Sequence, residues 1–414
     1  MRQTRNITVT IIAAYFTLLA IFFLLAVVTG LIPRHAIEQH LVLSVQTIGQ
    51  EGEYPVHGIS LLTQDNFTDC VMLNIAAGAD DGHPMASAMD NTLHMSGRDI
   101  IASTSRLLDG DPVEARSYAR YWHGYQVLLR PLLCLTDYRG IRVINGAALA
   151  LLALLCIVIG YWRVSRPFAL SLAAGLLLTG CWIVPLNMQF TSCFAVMLAA
   201  LLAVMLGQRA LHSTGAASVA FFVIGGVTQY LDLLTTPLIT LGLPLIAWML
   251  IHKPGRASRT VVLLSLMWGL GYASLWASKW LIAGLVTGND VLGDAINSVR
   301  IRSVGGEMAE QGLTAADILR GYWNRFAALG LAGWGALAAL TIAVVALYRC
   351  CGRPYRVIGG NLWLLLVAAM PLVWALVLTQ HTFLHHFFTW RIVLVTLVAI
   401  MLFISHTITL SRRI

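Results

Sequence analysis

Apolar runs of membrane-crossing length alternate with short polar joints along most of this chain. A spanning helix needs about 20 predominantly apolar residues. Runs of that kind fall at 9–32, 143–162, 168–186, 190–206, 217–232, 234–251, 260–285, 326–348, 358–378 and 388–407. The pattern predicts an all-α polytopic membrane protein with about ten transmembrane helices. The fifth and sixth runs meet in "QYLDLLTT" with almost no loop between them. The first run has too long an apolar core, and no clear small-x-small site after it, to read as a cleaved signal peptide; it predicts a retained helix.

Composition agrees. Of 414 residues, 58% are hydrophobic and only 11% charged, with a mean hydropathy of +0.76. A soluble domain of that make-up would expose large apolar patches. The sign of the charge then orients the helices. With Met1 inside, the short cytoplasmic joints hold Arg2, Arg5, Arg163, Arg166, Arg209, Lys253, Arg256, Arg259, Arg349, Arg353, Arg356, Arg412 and Arg413, and no acid. Of the 19 acids, all but Asp232 fall on the other side. This is the positive-inside pattern. It predicts a multi-pass plasma-membrane protein with both termini cytoplasmic. The net charge of +8 then reflects topology and lipid headgroups, with no nucleic-acid partner implied. No P-loop or cytosolic nucleotide-binding segment is present, which excludes an ATP-driven pump.

Two segments are long, 33–140 and 286–325, and both face outside in this threading. The first has apolar residues at helical spacing: Phe67, Val71 and Ile75; Met85, Met89 and Leu93; Tyr118, Trp122, Tyr125 and Leu129. These predict short amphipathic helices lying on the membrane surface. The third is expected to start with Asp111 as N-cap and Pro112 at the first helical position. In the second segment Gly305 and Gly306 suit a hinge, and Thr314 caps a helix with Asp317 three residues on. Cys70 and Cys134 both lie in the first outer segment, where either a disulfide or two separate packing cysteines fit.

Four groups can carry chemistry. Asp65 and Asp69 share a helical face; Asp65 suits an N-cap, and Asp69, harder to explain that way, suits a general base or metal ligand. In "ARSYARYWHGYQVLLRPLL" (115–133), Arg116, Arg120 and His123 fall close to one face and suit a phosphate, with Tyr121, Trp122 and Tyr125 for a sugar ring to stack on, against a plainer role in membrane anchoring. In "QHTFLHHFFTWR" (380–391), His381, His385 and Arg391 suit phosphate or pyrophosphate, or snorkelling toward headgroups; the histidines alone are too few ligands for zinc. Asp232 and Lys279 lie inside apolar runs. They are either functional or a structural pair, with each other or, for Asp232, with Arg391.

With acids, arginines, histidines and aromatics converging on the outer boundary, the chain resembles the GT-C glycosyltransferases, polytopic enzymes that use polyprenyl-phosphate sugars. The resemblance rests on a short cytoplasmic N-terminus, one span, a long first outer loop with amphipathic helices and acids, and a later outer loop over the same face. "QDNFTDCVML", "YWHGYQVLLRPLL" and "HTFLHHFFTWR" also resemble segments of uncharacterised bacterial membrane proteins grouped with that class. In the class an acid of the first outer loop is the general base and basic residues hold the lipid phosphate. The resemblance therefore implies a GT-C-like fold. It implies inverting transfer of a sugar from a polyprenyl-phosphate donor to a glycan or other hydroxyl acceptor, with Asp69 or Asp65 as base. Arg391, with Arg120 or Arg130, would be the phosphate ligands. A divalent metal (Mg or Mn) bridging acids and phosphate is compatible with the pattern and not required by it. Class members commonly place the acid close to the end of the first span, where this chain has only Glu38. Two other readings stand beside this one: an outer-face polysaccharide polymerase or ligase, and a transporter or lipid flippase using Asp232 and Lys279. No internal repeat is evident, which weighs against the transporter.

Overall fold

The structure is a computed structural model. It describes residues 2–80, 82–303 and 360–411, together with 314, 316, 317, 320, 321 and 324. The expected span at 326–348, the Gly305–Gly306 hinge and the basic residues at 349, 353, 356, 412 and 413 lie outside the described residues. In chain order the helices are α1 (Arg2–Gly30), α2 (Arg34–Glu51), α3 (Asn66–Ala77), α4 (Pro84–Asp90), α5 (Ile100–Leu108) and α6 (Gln126–Leu133). Then come α7 (Tyr138–Arg163), α8 (Arg166–Leu178), α9 (Met188–Leu206), α10 (Thr214–Leu231), α11 (Leu238–His252), α12 (Ala257–Thr287) and α13 (Val291–Arg302). After the undescribed stretch come α14 (Leu362–Val377), α15 (Thr379–Leu384), α16 (His386–Thr389) and α17 (Val393–Ser411).

Among the described residues, six helices are long and apolar enough to cross a membrane: Asn6–Gly30, α7, α9, α10, α12 and His386–His406. Three more, α8, α11 and α14, are apolar but shorter. The expected run at 168–186 is not one helix. α8 stops at Leu178, Gly180 turns the chain at φ +65°, and Cys181–Leu186 form a 3-10 turn containing Pro185. Proline removes a backbone donor and blocks the preceding turn.

α11 is buried on every side from Leu238 to Met249, packed by α9, α10, α14 and α17. That is why its sequence shows no polar face. α10 and α12 cross closely through glycine. A Cβ on Gly225 would overlap the Trp268 carbonyl, and one on Gly271 would overlap the Phe222 carbonyl. Small residues at such a crossing let two backbones approach.

The segment before α7 is a packed helical cap and not a set of surface helices. α2, which hydropathy did not single out, buries Ile37, Leu41, Val45 and Ile48 against α3, α5, α6 and α7. α3 forms as the spacing of Phe67, Val71 and Ile75 predicts, but it is buried almost throughout instead of holding a polar face at a boundary. Met89 is buried in α4 and Met85 is exposed, while Leu93 belongs to a two-residue strand, β1 (Leu93–His94), paired antiparallel with β2 (Ala115–Arg116). The helix expected from Asp111 does not form; residues 111–125 are extended or turn. Their backbone groups have tertiary partners instead: Glu114 O accepts from Met95 N, Tyr118 N donates to Asp90 O, and Gly124 N donates to Tyr230 O. His123 sits at φ +52°. The disulfide alternative is also excluded: Cys70 is free and buried against Ile100 O and Thr104, and Cys134 is free and exposed. Thr314 and Asp317 do make the expected cap, with Oδ2 accepting from both Thr314 N and Oγ1 at 2.7 Å.

Candidate functional site

Asp65 is the N-cap of α3. Its Oδ1 accepts from Thr68 N at 3.0 Å and its Oδ2 from Thr68 Oγ1 at 2.8 Å. Burial, with Asp69 nearby, pushes its carboxyl up to about 7 against the pull of Thr68. Asp69, one turn on, is fully buried with both oxygens engaged. Oδ1 accepts from Gln189 N at 3.1 Å. Oδ2 accepts from Met188 N at 3.1 Å, Asn187 Nδ2 at 2.7 Å and the Tyr138 hydroxyl. Asn187, the N-cap of α9, makes no cap bond with its own side chain. Asp69 supplies that function from α3, where a carboxylate also meets the positive end of the helix. Burial raises its pKa, against these donors.

A second ionic group stands beside this clamp. Glu51 and Arg142 form a two-oxygen pair at 2.6 and 2.7 Å, and Asn66 bonds to both. Together these groups lock α2, α3, α7 and α9. Four donors fill the Asp69 carboxylate and Thr68 engages both oxygens of the buried Asp65, so both have the geometry of structural carboxylates.

Several of the other candidates are also held by backbone. Trp122 Nε1 donates to Leu275 O at 2.9 Å. His123 bridges the Tyr125 hydroxyl (2.9 Å) and Tyr118 O (3.0 Å), and burial pushes its pKa down to about 3, so it is neutral. The Arg130 guanidinium donates to Ala76 O at 2.8 Å and to Ile32 O. Lys279 donates to Met89 O at 2.7 Å and Ala88 O at 3.3 Å. Arg391 donates to Leu61 O at 3.3 Å and lies 4.6 Å over the Phe190 ring. The expected pairs Asp232–Lys279 and Asp232–Arg391 therefore do not form; each cation is spent on carbonyls, which anchor loops to the bundle.

The remaining candidates converge at the break between α10 and α11. Residues 232–237 are irregular and buried throughout, with Leu234 at φ +64°. A branched residue in that region costs on the order of 1–3 kcal/mol and persists only where its surroundings enforce it. Here the Leu234 carbonyl is turned toward His381, whose Nε2 donates to it at 2.8 Å. Asp232 Oδ1 accepts from Thr235 N at 3.0 Å. Its Oδ2 has no hydrogen-bond partner among the described residues.

Other unpartnered polar atoms sit on the segments that meet here: Gln229 Oε1, Gln189 Oε1, His381 Nδ1 and Thr382 Oγ1. Burial, with His385 and Arg302 adjacent, pushes His381 down to about 3. Burial and Arg302 take His385 to about 4. A neutral His381 that donates from Nε2 presents a bare lone pair at Nδ1. With the Thr235, Thr236 and Thr382 hydroxyls, which can donate as well as accept, the junction suits a ligand carrying hydroxyl groups.

Arg302 lies 5.9 Å from the Tyr121 ring. Arg120 lies 4.4 Å over Tyr118 and pairs with Asp294 at 3.1 Å. Tyr121 stacks on Trp276 at 5.7 Å. Trp276 belongs to an aromatic ladder on α12, Trp268–Tyr272–Trp276–Trp280. The four-residue spacing of that ladder is visible in the sequence and marks the same face. Asp232 is in electrostatic contact with Tyr121 and Tyr272. Arg120, Asp232, His381 and His385 are therefore brought together, with Tyr121 and Arg302. Asp65, Asp69, Lys279, Arg130 and Arg391 are tied elsewhere.

Among the described residues no three His, Cys, Asp or Glu side chains are grouped as metal ligands. No family model, no curated protein and no solved structure matches the chain.

Proposed function

We propose that the protein is a glycosyltransferase that moves a sugar from a polyprenyl-phosphate donor to a hydroxyl acceptor at the outer face of the plasma membrane, with Asp232 as general base. The observation that carries this reading is the unpartnered Asp232 Oδ2 in a buried junction beside Tyr121, with His381 bonded to the same irregular turn. Ionisable groups buried in an apolar bundle are expensive and usually functional.

In the reaction, Asp232 takes the acceptor proton as the acceptor oxygen attacks the anomeric carbon. The bond to the lipid phosphate breaks in line, with inversion, and the electron pair leaves on the phosphate. Arg302 and Arg120 stabilise that growing negative charge. His381 Nδ1 accepts from a sugar hydroxyl, and the Tyr121–Trp276 stack supports the ring. No step is routed through a metal. The test is transfer from a radiolabelled monosaccharide-lipid donor by the purified protein: transfer of one sugar supports this reading, and chain growth supports a polymerase.

One observation favours a second reading. Irregular backbone at 232–237, enclosed between two apolar helices, is also how transporters build ion and substrate sites. Flux in proteoliposomes that is lost in Asp232→Asn, without any transfer activity, would favour that alternative.

A further inference from the structure

Asp232 is a buried acid without a cation. It is 3% exposed, and none of the five ion pairs formed by the described residues includes it. Lys279 and Arg391 are bonded to carbonyls, and Arg302 reaches the Tyr121 ring. The carboxylate also stands at the C-terminal end of α10, where the helix dipole is negative and disfavours an anion. A buried charge is ordinarily paired or bound to a metal ion.

Uncharged oxygens stand close to the same carboxylate. Its Oδ1 accepts from Thr235 N at 3.0 Å, and the Thr235 side chain lies beside it. Gln229, 1% exposed, precedes Asp232 by three residues and so shares its side of the last turn of α10. Asp232 Oδ2, Thr235 Oγ1 and Gln229 Oε1 have no hydrogen-bond partner among the described residues. Tyr121, Tyr272 and Cys193 are in electrostatic contact with Asp232 as well, and none of them can carry a positive charge.

Carboxylate, hydroxyl and amide oxygens are hard ligands, which suit alkali or alkaline-earth cations rather than soft metals. Charge decides between those two groups. One carboxylate neutralises one positive charge, whereas a divalent ion would leave an uncompensated charge inside an apolar bundle. Among monovalent ions the smaller gains more from an anionic oxygen, because the attraction rises as the distance falls. Broken backbone at the C-terminal end of an apolar helix is also where membrane proteins place such ions.

We infer that the break between α10 and α11 binds a sodium ion on Asp232 Oδ2, Thr235 Oγ1 and Gln229 Oε1, with water completing its shell. Binding needs no sugar donor and goes beyond the transferase reading. Its consequence for catalysis rests on that reading, which uses the same oxygen as a base. An oxygen that holds a cation cannot take a proton at the same moment, so the two uses compete and rising sodium slows transfer.

Scintillation-proximity binding of radiolabelled sodium to the purified full chain, in choline chloride, tests it. The wild-type protein should bind a single sodium ion per chain, saturably, with unlabelled potassium displacing it about tenfold less well than unlabelled sodium. Asp232→Asn should abolish binding. Thr235→Val, which keeps the shape and removes the hydroxyl, should weaken it about tenfold, and Thr235→Ser should retain it. The melting temperature in choline chloride, with no sodium present, shows that each variant is folded. No saturable binding by the wild-type protein overturns the inference and leaves Asp232 with a proton. Binding that survives in folded Asp232→Asn and Thr235→Val proteins moves the ion elsewhere and also overturns it. Equal displacement by potassium overturns the assignment to sodium. Sodium binding without sugar transfer leaves the inference standing and counts against the transferase reading; transfer without sodium binding does the reverse.

Discussion

The Asp69 carboxylate caps a helix it does not belong to: its Oδ1 accepts the amide of Gln189, in the first turn of α9, at 3.1 Å. The acid that the sequence marked for chemistry is therefore a joint between the helical cap and the bundle. Asp69→Asn turns one acceptor into a donor facing backbone amides. We expect a stability loss of about 1–3 kcal/mol, the scale for leaving buried donors unpaired. Thermal unfolding measures it. The activity of each molecule that remains folded should be retained. Lost activity with an unchanged melting temperature would return Asp69 to the role of base.

Asp65 sets a pH dependence of stability. Its folded pKa of about 7 lies above the ordinary carboxyl value of 3.8. The folded state therefore holds a proton that the unfolded chain releases. The resulting stabilisation is fully present below about pH 4 and is lost as pH rises through about 7. Asparagine keeps the capping acceptor and carries no charge. Asp65→Asn should flatten the stability profile across that window and raise the melting temperature above neutral pH. A variant with an unaltered profile contradicts the assignment.

The α10–α12 crossing leaves no room for a side chain. Gly225→Ala and Gly271→Ala should each cost about 1–3 kcal/mol, because the obstacle is backbone and cannot swing away. The double variant should lose less than the sum, since both open the same crossing. Denaturation of the reconstituted protein reads both effects.

Arg302 should matter to the donor rather than to the fold. Arg302→Ala removes one electrostatic contact to the departing phosphate, and a loss on the order of 10²-fold in kcat/KM is expected. Arg302→Lys should recover part of it, since a point charge replaces a planar fork. An unchanged kcat/KM in Arg302→Ala would remove it from the site.

Hydropathy and charge made the apolar helices legible, because a helix facing lipid must be apolar around most of its circumference. They did not reveal α2. Its buried residues 37, 41, 45 and 48 are preceded by Arg34 and His35 and interrupted by Glu38, Gln39 and His40, so the segment reads as a polar loop. Residues 111–125 failed in the opposite sense. A good N-cap signal at Asp111–Pro112 was overridden by tertiary bonds to Asp90 and Tyr230. The two ends of the candidate site differ likewise. Asp232 stood out as a lone acid in an apolar run. That Asp69 is saturated by four donors was not legible, because Asn187, Met188 and Gln189 lie far away in the sequence.

The most direct test of the account is sugar transfer by Asp232→Asn, assayed with a radiolabelled polyprenyl-phosphate monosaccharide. The amide keeps the bond from Thr235 and loses the basic oxygen. The account predicts transfer reduced by about 10²–10³-fold, with unchanged melting temperature and donor binding. Wild-type transfer by a folded Asp232→Asn protein, or no transfer by the wild-type protein with this donor class, would contradict it.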